Sequence, residues 1–200
     1  MTDFNIAFQL TLGHEGGLSD NSVDPGGLTY KGISQINFPG WEGWDIVEAV
    51  MKNSTIENAT KYLDTSIVLQ SKVKDFYLAH FWIGTNIQAI PTQALANTLF
   101  DIAVNNGAST SISYLQKSLQ LLATISSASK ISIDGVLGSN TLSVLQSYLD
   151  SYKTHVGRSP LLNEQVIIKV IHYFQVQKYV GIVQANADEE VFLYGWLVRV

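Results

Sequence analysis

The segment from Thr92 to Asn106, bounded by Pro91 and Gly107, spaces its apolar residues at 94–96, 99–100 and 102–104, and it limits what the chain can become more than any other. Read as a helix, it carries apolar side chains around most of its circumference, so other elements must enclose it. Pro91 lacks a backbone N–H and fixes its own φ, which stops the element before it and pre-sets the helix after it. Asn97, Asp101 and Asn105 recur at i, i+4, i+8 and draw one polar stripe along this otherwise apolar surface. The stripe is either the floor of a cleft, or a solvated face with its own capping network.

The rest of the chain supplies the enclosing elements. Phe4, Ala7, Phe8, Thr11, Leu12 and Glu15 fall on one helical face behind Asp3 as N-cap, and Gly16-Gly17 ends that helix with Glu15 at its last turn. Ser54-Thr55-Ile56-Glu57 matches a capping box, with Ala59, Tyr62 and Leu63 behind it. Residues 65–82 continue helically, with Ile67, Val68, Val73, Phe76, Tyr77 and Phe81 expected in the core. Further helices are expected over 110–123, 140–152, 162–182 and 188–198, with Gly157-Arg158-Ser159-Pro160 as a loop. Between Gly16 and Gly40 the composition turns to Gly, Asp, Asn, Ser and Pro, which is turn chemistry. Only Leu28-Thr29-Tyr30 and Gly32-Ile33-Ser34 read as strands there, and they are too short to fold alone. The expected fold class is mainly α (α+β), a helical domain with a small β flap over one end of the first helix.

Several function classes drop out. The chain has no cysteine, which removes disulfides, thiol nucleophiles and cysteine-held metals. The histidines, at 14, 80, 155 and 172, have no metal-ligand spacing, and Leu18 stands where a zinc protease would place its second His. There is no phosphate loop and no nucleophile elbow, so neither a metal nor another cofactor is expected. Net charge is −5, and no Arg precedes Arg158, so the basic face needed to bind nucleic acid is missing. No segment approaches the roughly 20 apolar residues of a membrane span, and the start, Met-Thr-Asp-Phe-Asn, lacks the basic region of a signal peptide.

The remaining chemistry sits in the first thirty residues. Cleaving a glycosidic bond takes a proton donor for the leaving oxygen and a second group for the cation-like centre or the attacking water. Glu15 lies at a helix end, where the helix dipole and apolar neighbours both oppose ionisation and keep the acid protonated. Asp24 lies in the glycine-rich loop, where solvent and backbone N–H groups favour the ionised form. Thr29 follows at the start of the flap. Folding the flap back over the helix end would bring all three to one groove. Trp41, Trp44, Trp82 and Trp196 are possible sugar-stacking surfaces, of which Trp82 and Trp196 are assigned to the core.

These residues also carry a family resemblance. His14-Glu15-Gly16-Gly17, followed by Asp24-Pro25-Gly26-Gly27-Leu28-Thr29-Tyr30-Lys31-Gly32-Ile33-Ser34, resembles the signature of the glycoside hydrolase 108 family of N-acetylmuramidases. Leu99-Phe100-Asp101-Ile102-Ala103-Val104-Asn105-Asn106-Gly107 is similar to that family's central helix. Leu115-Gln116 and Ile133-Asp134-Gly135-Val136-Leu137-Gly138 resemble its C-terminal predicted peptidoglycan-binding region, and Gly195-Trp196-Leu197-Val198-Arg199-Val200 its closing motif. The chain departs from the pattern at Leu18, where an aromatic residue is usual.

The resemblance implies a lysozyme-like fold and hydrolysis of the β-1,4 bond between N-acetylmuramic acid and N-acetylglucosamine, with Glu15 as the acid. It implies a catalytic part over 1–92 and a helical, peptidoglycan-binding part over 93–200, packed as one unit. Asp24 and Thr29 complete the catalytic set. Asn97, Asp101 and Asn105, with Tyr30, are the substrate-binding candidates. The expected partner is the glycan strand of peptidoglycan, met by a monomer in the periplasm or cell wall after delivery by a holin, a secretion machine or lysis. The rival readings are a lytic transglycosylase, a non-catalytic peptidoglycan-binding module and a secretion-accessory protein.

Overall fold

The computed structural model describes residues 2–12, 17–20, 27–123, 131–154, 159–198 and 200. The chain divides into two compact units, Asp3–Gly84 and Met1–Thr2 with Thr85–Val200. Among the described residues the fold is mainly helical with one small antiparallel sheet, the lysozyme-like class the sequence led us to expect.

In the Asp3–Gly84 unit, α1 (Phe4–Leu12) starts at Asp3, whose Oδ1 accepts the Asn5 backbone N–H at 2.8 Å, as an N-cap should. Phe4, Ala7 and Thr11 form its buried face, and Phe4 packs on Phe8 and Trp82 at ring separations of 5.4 and 5.7 Å. The sheet has three strands in the order β1 (Leu18–Asp20), β2 (Leu28–Tyr30) and β3 (Ile33–Ser34). Composition alone marks β1 as turn. It becomes a strand because its pairing, Leu18 with Tyr30 and Asp20 with Leu28, supplies backbone partners that local composition does not announce.

β2 and β3 are joined by Lys31-Gly32, both at positive φ (45° and 78°), the two-residue turn whose twist suits a hairpin. Lys31 adopts this conformation without being glycine. It is held there by its ion pair with Asp64 at 3.2 Å and by the Tyr77 hydroxyl, which donates to its carbonyl at 2.7 Å. At Gly32 a Cβ would lie 2.6 Å from that same hydroxyl. Gly32→Ala is therefore expected to destabilise the protein by about 2–3 kcal/mol, from backbone strain plus a displaced hydrogen bond. Urea unfolding checks this, and an unchanged midpoint would mean that the turn tolerates a side chain.

Among the described residues three more helices belong to this unit: α2 (Trp44–Met51), α3 (Ile56–Thr65) and α4 (Ile67–Tyr77), the last running into a π-helical turn at Leu78–Ile83. α2 adds to the helices that the sequence pattern predicts. The N-cap of α3 is Thr55, which accepts the Asn58 N–H at 3.4 Å, one residue later than the capping box suggested, while Glu57 pairs with Lys61 at 2.7 Å. On α4 the buried face is Leu69, Val73, Phe76 and Tyr77. Ile67 and Val68, expected in the core, are 86% and 61% exposed because the 3.6-residue period carries them off that face. Trp82 is buried five residues after Tyr77, a spacing that suits the wider π turn better than an α-helix.

The other unit is built around α5 (Gln93–Asn106), whose Leu95, Ala96, Leu99, Phe100, Ile102 and Ala103 are buried. Gly107, at φ 97°, turns the chain into α6 (Ala108–Ala123). There Ser111 Oγ donates to the Leu99 carbonyl at 2.6 Å and ties the two helices together. α7 (Ser139–Asp150), α8 (Pro160–Ala185) and α9 (Glu190–Val198) follow. Of the segment read as a loop, Ser159 and Pro160 are the N-cap and first residue of α8, with Ser159 Oγ accepting the Leu162 N–H at 3.1 Å. Gly157 and Arg158 lie outside the described residues. Asn163, buried near the start of α8, donates to the Tyr148 and Leu149 carbonyls at 3.1 and 3.2 Å and so caps the end of α7. Trp196, assigned to the core from sequence, sits half-buried on α9 against Tyr179 at 5.2 Å, because α9 buries none of its residues fully.

A polar corner joins α6 to α7. Gln116, 1% exposed, accepts the N–H groups of Asp134 and Gly135 at 3.0 and 2.9 Å and donates to Asp134 Oδ1 at 2.7 Å. The bond from Gln116, and then the Val136 N–H, hold the Asp134 carboxyl below the usual aspartate range. A carboxylate depressed in the folded state adds stability above its unfolded pKa, about 3.9, and loses it as pH falls through the folded value. The stability advantage of wild type over Asp134→Asn should therefore be constant at neutral pH and shrink below about pH 4. Urea midpoints of the two proteins from pH 7 to pH 3 check this, and an advantage that grows in acid would contradict it.

Candidate functional site

The sheet separates two sets of side chains. Leu18, Tyr30 and Ile33 share one buried face, while Ser19, Thr29 and Ser34, paired across the three strands, form a hydroxyl row on the other, where Ser34 is also buried. Thr29 is half-buried, and its hydroxyl donates to the Gly27 carbonyl at 3.2 Å. With its proton so engaged, the oxygen keeps lone pairs to accept a hydrogen bond from a water molecule.

Tyr30 takes the opposite direction and is fully buried. Its hydroxyl donates to Asp64 Oδ1 at 3.0 Å and accepts from Gln70 Nε2 at 2.8 Å. Burial raises its pKa well beyond the ordinary tyrosine value, and the Gln70 bond only partly offsets this. Tyr30 thus locks β2 to α3 and α4, and sets the height at which Thr29 stands on the other face. Asp64 and Gln70 were not singled out from sequence. Each is one polar residue among several on a helix, and only their meeting at Tyr30 distinguishes them.

The chain just after Glu15 is also fixed. The Leu18 N–H donates to Thr60 Oγ1 at 3.3 Å, and the Gly17 carbonyl accepts the Lys31 N–H at 3.2 Å. A Cβ on Gly17 would run into Thr60 Cγ2, which explains the second glycine of the Glu-Gly-Gly run. Glu15, Asp24 and His14 themselves lie outside the described residues. Between α1 and α4 opens a cavity of about 460 Å³ that reaches Leu12 and Lys31 and carries the amides of Asn5, Gln9 and Gln70. Such a lining can hydrogen-bond acetamido and hydroxyl groups.

In the second unit the stripe on α5 is hydrogen-bonded along the helix. Gln93 Nε2 donates to Asn97 Oδ1 at 2.7 Å, and Asn105 Nδ2 donates to the Asp101 carbonyl and Oδ1 at 2.8 and 3.2 Å. Asn97 and Asp101 are half-buried and Asn105 is exposed. The stripe is therefore reachable and already ordered. The end of α5 is held by α8, where the Tyr179 hydroxyl donates to Asn106 Oδ1 at 3.0 Å. Among the described residues no helix is long and apolar enough to cross a membrane, and no three His, Asp or Glu side chains group as a metal site.

Comparison with known proteins adds two findings. The profile of the family described as Glycosyl hydrolase 108 matches residues 8–107. Among solved structures, that of Brucella abortus SagA superposes with a TM-score of 0.54 at 18% identity, covering 97% of this chain and 95% of that one, which is a likeness of fold. A search of curated proteins found no match.

Proposed function

The chain belongs to the glycosyl hydrolase 108 family, and from that footing we propose that it hydrolyses peptidoglycan as an N-acetylmuramidase, cleaving the β-1,4 bond after N-acetylmuramic acid. The observation that supports this most is that the matched segment, 8–107, takes in Glu15, Asp24 and Thr29 together. In this reading Glu15 protonates the leaving glycosidic oxygen, and Asp24 stabilises the cationic centre or activates water. Thr29 accepts a hydrogen bond from that water and orients it, since its own proton is committed to the Gly27 carbonyl. Asn97, Asp101 and Asn105 bind acetamido and hydroxyl groups of the glycan. Tyr30, being buried, contributes by holding the strand that carries Thr29. Residues 93–200 serve as the peptidoglycan-binding part.

The enzyme acts as a monomer without cofactor, in the periplasm or cell wall, after delivery by a holin, a secretion machine or lysis. Mass spectrometry of digested peptidoglycan tests the reading. Muropeptides that have gained water, with reducing N-acetylmuramic acid ends, are expected. Anhydro ends would make the protein a lytic transglycosylase, and no soluble product would make it a binding or accessory protein.

A further inference from the structure

A second cavity in the Asp3–Gly84 unit, of about 480 Å³, contains none of the residues assigned to the reaction. Its volume is within the usual range for a small-ligand site. Phe38, Trp41, Phe76 and His80 line it with rings, and Glu42 and Asp75 line it with carboxylates. The rings are pre-set. Trp41 stacks on Tyr30 at 6.5 Å with 18° between planes, and its Nε1–H donates to the Lys72 carbonyl at 3.3 Å. His80 lies on Phe76 at 4.3 Å, and Phe38 meets Phe76 edge-on at 4.7 Å.

The polar groups decide between two ligand classes. Aromatic walls with carboxylates also suit a cationic ligand. Here, however, the Lys72 ammonium stands in the same lining, 2.6 Å from Glu42, and would oppose a second cation. His80 Nδ1 must carry the proton in its 2.9 Å bond to the Phe76 carbonyl, and in that tautomer Nε2 is an acceptor. The cavity thus offers acceptors at Asp75, Glu42 and His80 and a donor at Lys72, set around aromatic surface. That combination matches a pyranose, whose C–H face is apolar and whose hydroxyls both donate and accept.

We propose that this cavity is an additional saccharide site that takes an N-acetylhexosamine unit of a glycan strand. It shares with the proposed function only the class of ligand, and it acts by binding, so it holds chain near the enzyme rather than cutting it.

The test is a titration of the full-length ¹⁵N-labelled protein with N,N′-diacetylchitobiose, followed by NMR. Saturable shifts are expected at the Trp41 indole N–H and the Gly40, Ala79 and His80 amides. Asp75→Ala removes one exposed carboxylate and should weaken the affinity by about fivefold, the worth of one hydrogen bond, with an unchanged thermal midpoint, while His80→Ala also removes the ring stacked on Phe76 and should weaken it at least as much. Shifts absent from these residues, or affinities unchanged in both variants, would overturn the site, as would shifts there with choline but not with the sugar. Because binding is the readout, saturable shifts in a protein that releases no muropeptides would sink the enzyme reading and leave this one standing.

Discussion

Replacing Glu15 by Gln is expected to slow the clearing of purified peptidoglycan by about 10²–10⁴-fold, the usual worth of a positioned general acid. The two side chains have nearly the same size, so the change removes an ionisable proton and little else. A carboxylic acid can deliver that proton to the glycosidic oxygen as the bond breaks, whereas an amide N–H is far too weak an acid to do so. The elements flanking position 15 have anchors of their own. α1 is anchored by Asp3 and by the packing of Phe4 on Trp82, and β1 by its pairing with β2. Circular dichroism and the thermal midpoint should therefore match wild type, while turbidity loss collapses. If Glu15→Gln cleared peptidoglycan at close to the wild-type rate, the acid would have to be sought elsewhere.

The second large effect is expected on stability. Gln116→Leu should cost about 3–5 kcal/mol, because the Asp134 and Gly135 N–H groups lose their partner beside a buried side chain, and the Val136 carbonyl keeps only its bonds from Gly138 and Thr141. Leu fills the same space, so the loss reflects polar groups left unsatisfied rather than a cavity. The corner has little room to rearrange. Gly135 sits at φ 71° against Ser109, and Leu137 is tied to Asn86 Nδ2 at 3.0 Å. At roughly 2–4 °C per kcal/mol for a chain of this size, the thermal midpoint should fall by about 6–20 °C. A calorimetric scan checks it, and a fall of only a degree or two would mean that water replaces the amide. The Asp134-Gly135 motif, which resembles a peptidoglycan-binding element, accordingly earns its place at least in part as a structural turn.

Sequence alone determined the features that neighbouring residues decide together. The buried helix at 93–106 followed from its apolar circumference, the start of α1 from Asp3, the β2–β3 hairpin from a short Leu-Thr-Tyr run next to Gly32, and the order of the later helices from their 3.6-residue period. The candidate chemistry was legible for a similar reason, since Glu15, Asp24 and Thr29 fall within one short stretch whose motif is read along the chain. Tertiary structure alone decided what depends on residues far apart. Leu18–Asp20 is a strand only because β2 pairs with it, and Ile67 and Val68 face outward only because Leu69 and Val73 fill the core instead. Tyr30 is a buried anchor rather than an open aromatic because Asp64 and Gln70 arrive from 34 and 40 residues away to hold its hydroxyl. Periodicity and turn chemistry report the preferences of a local segment, and those preferences are weak beside the burial and hydrogen bonds that distant segments supply when they meet.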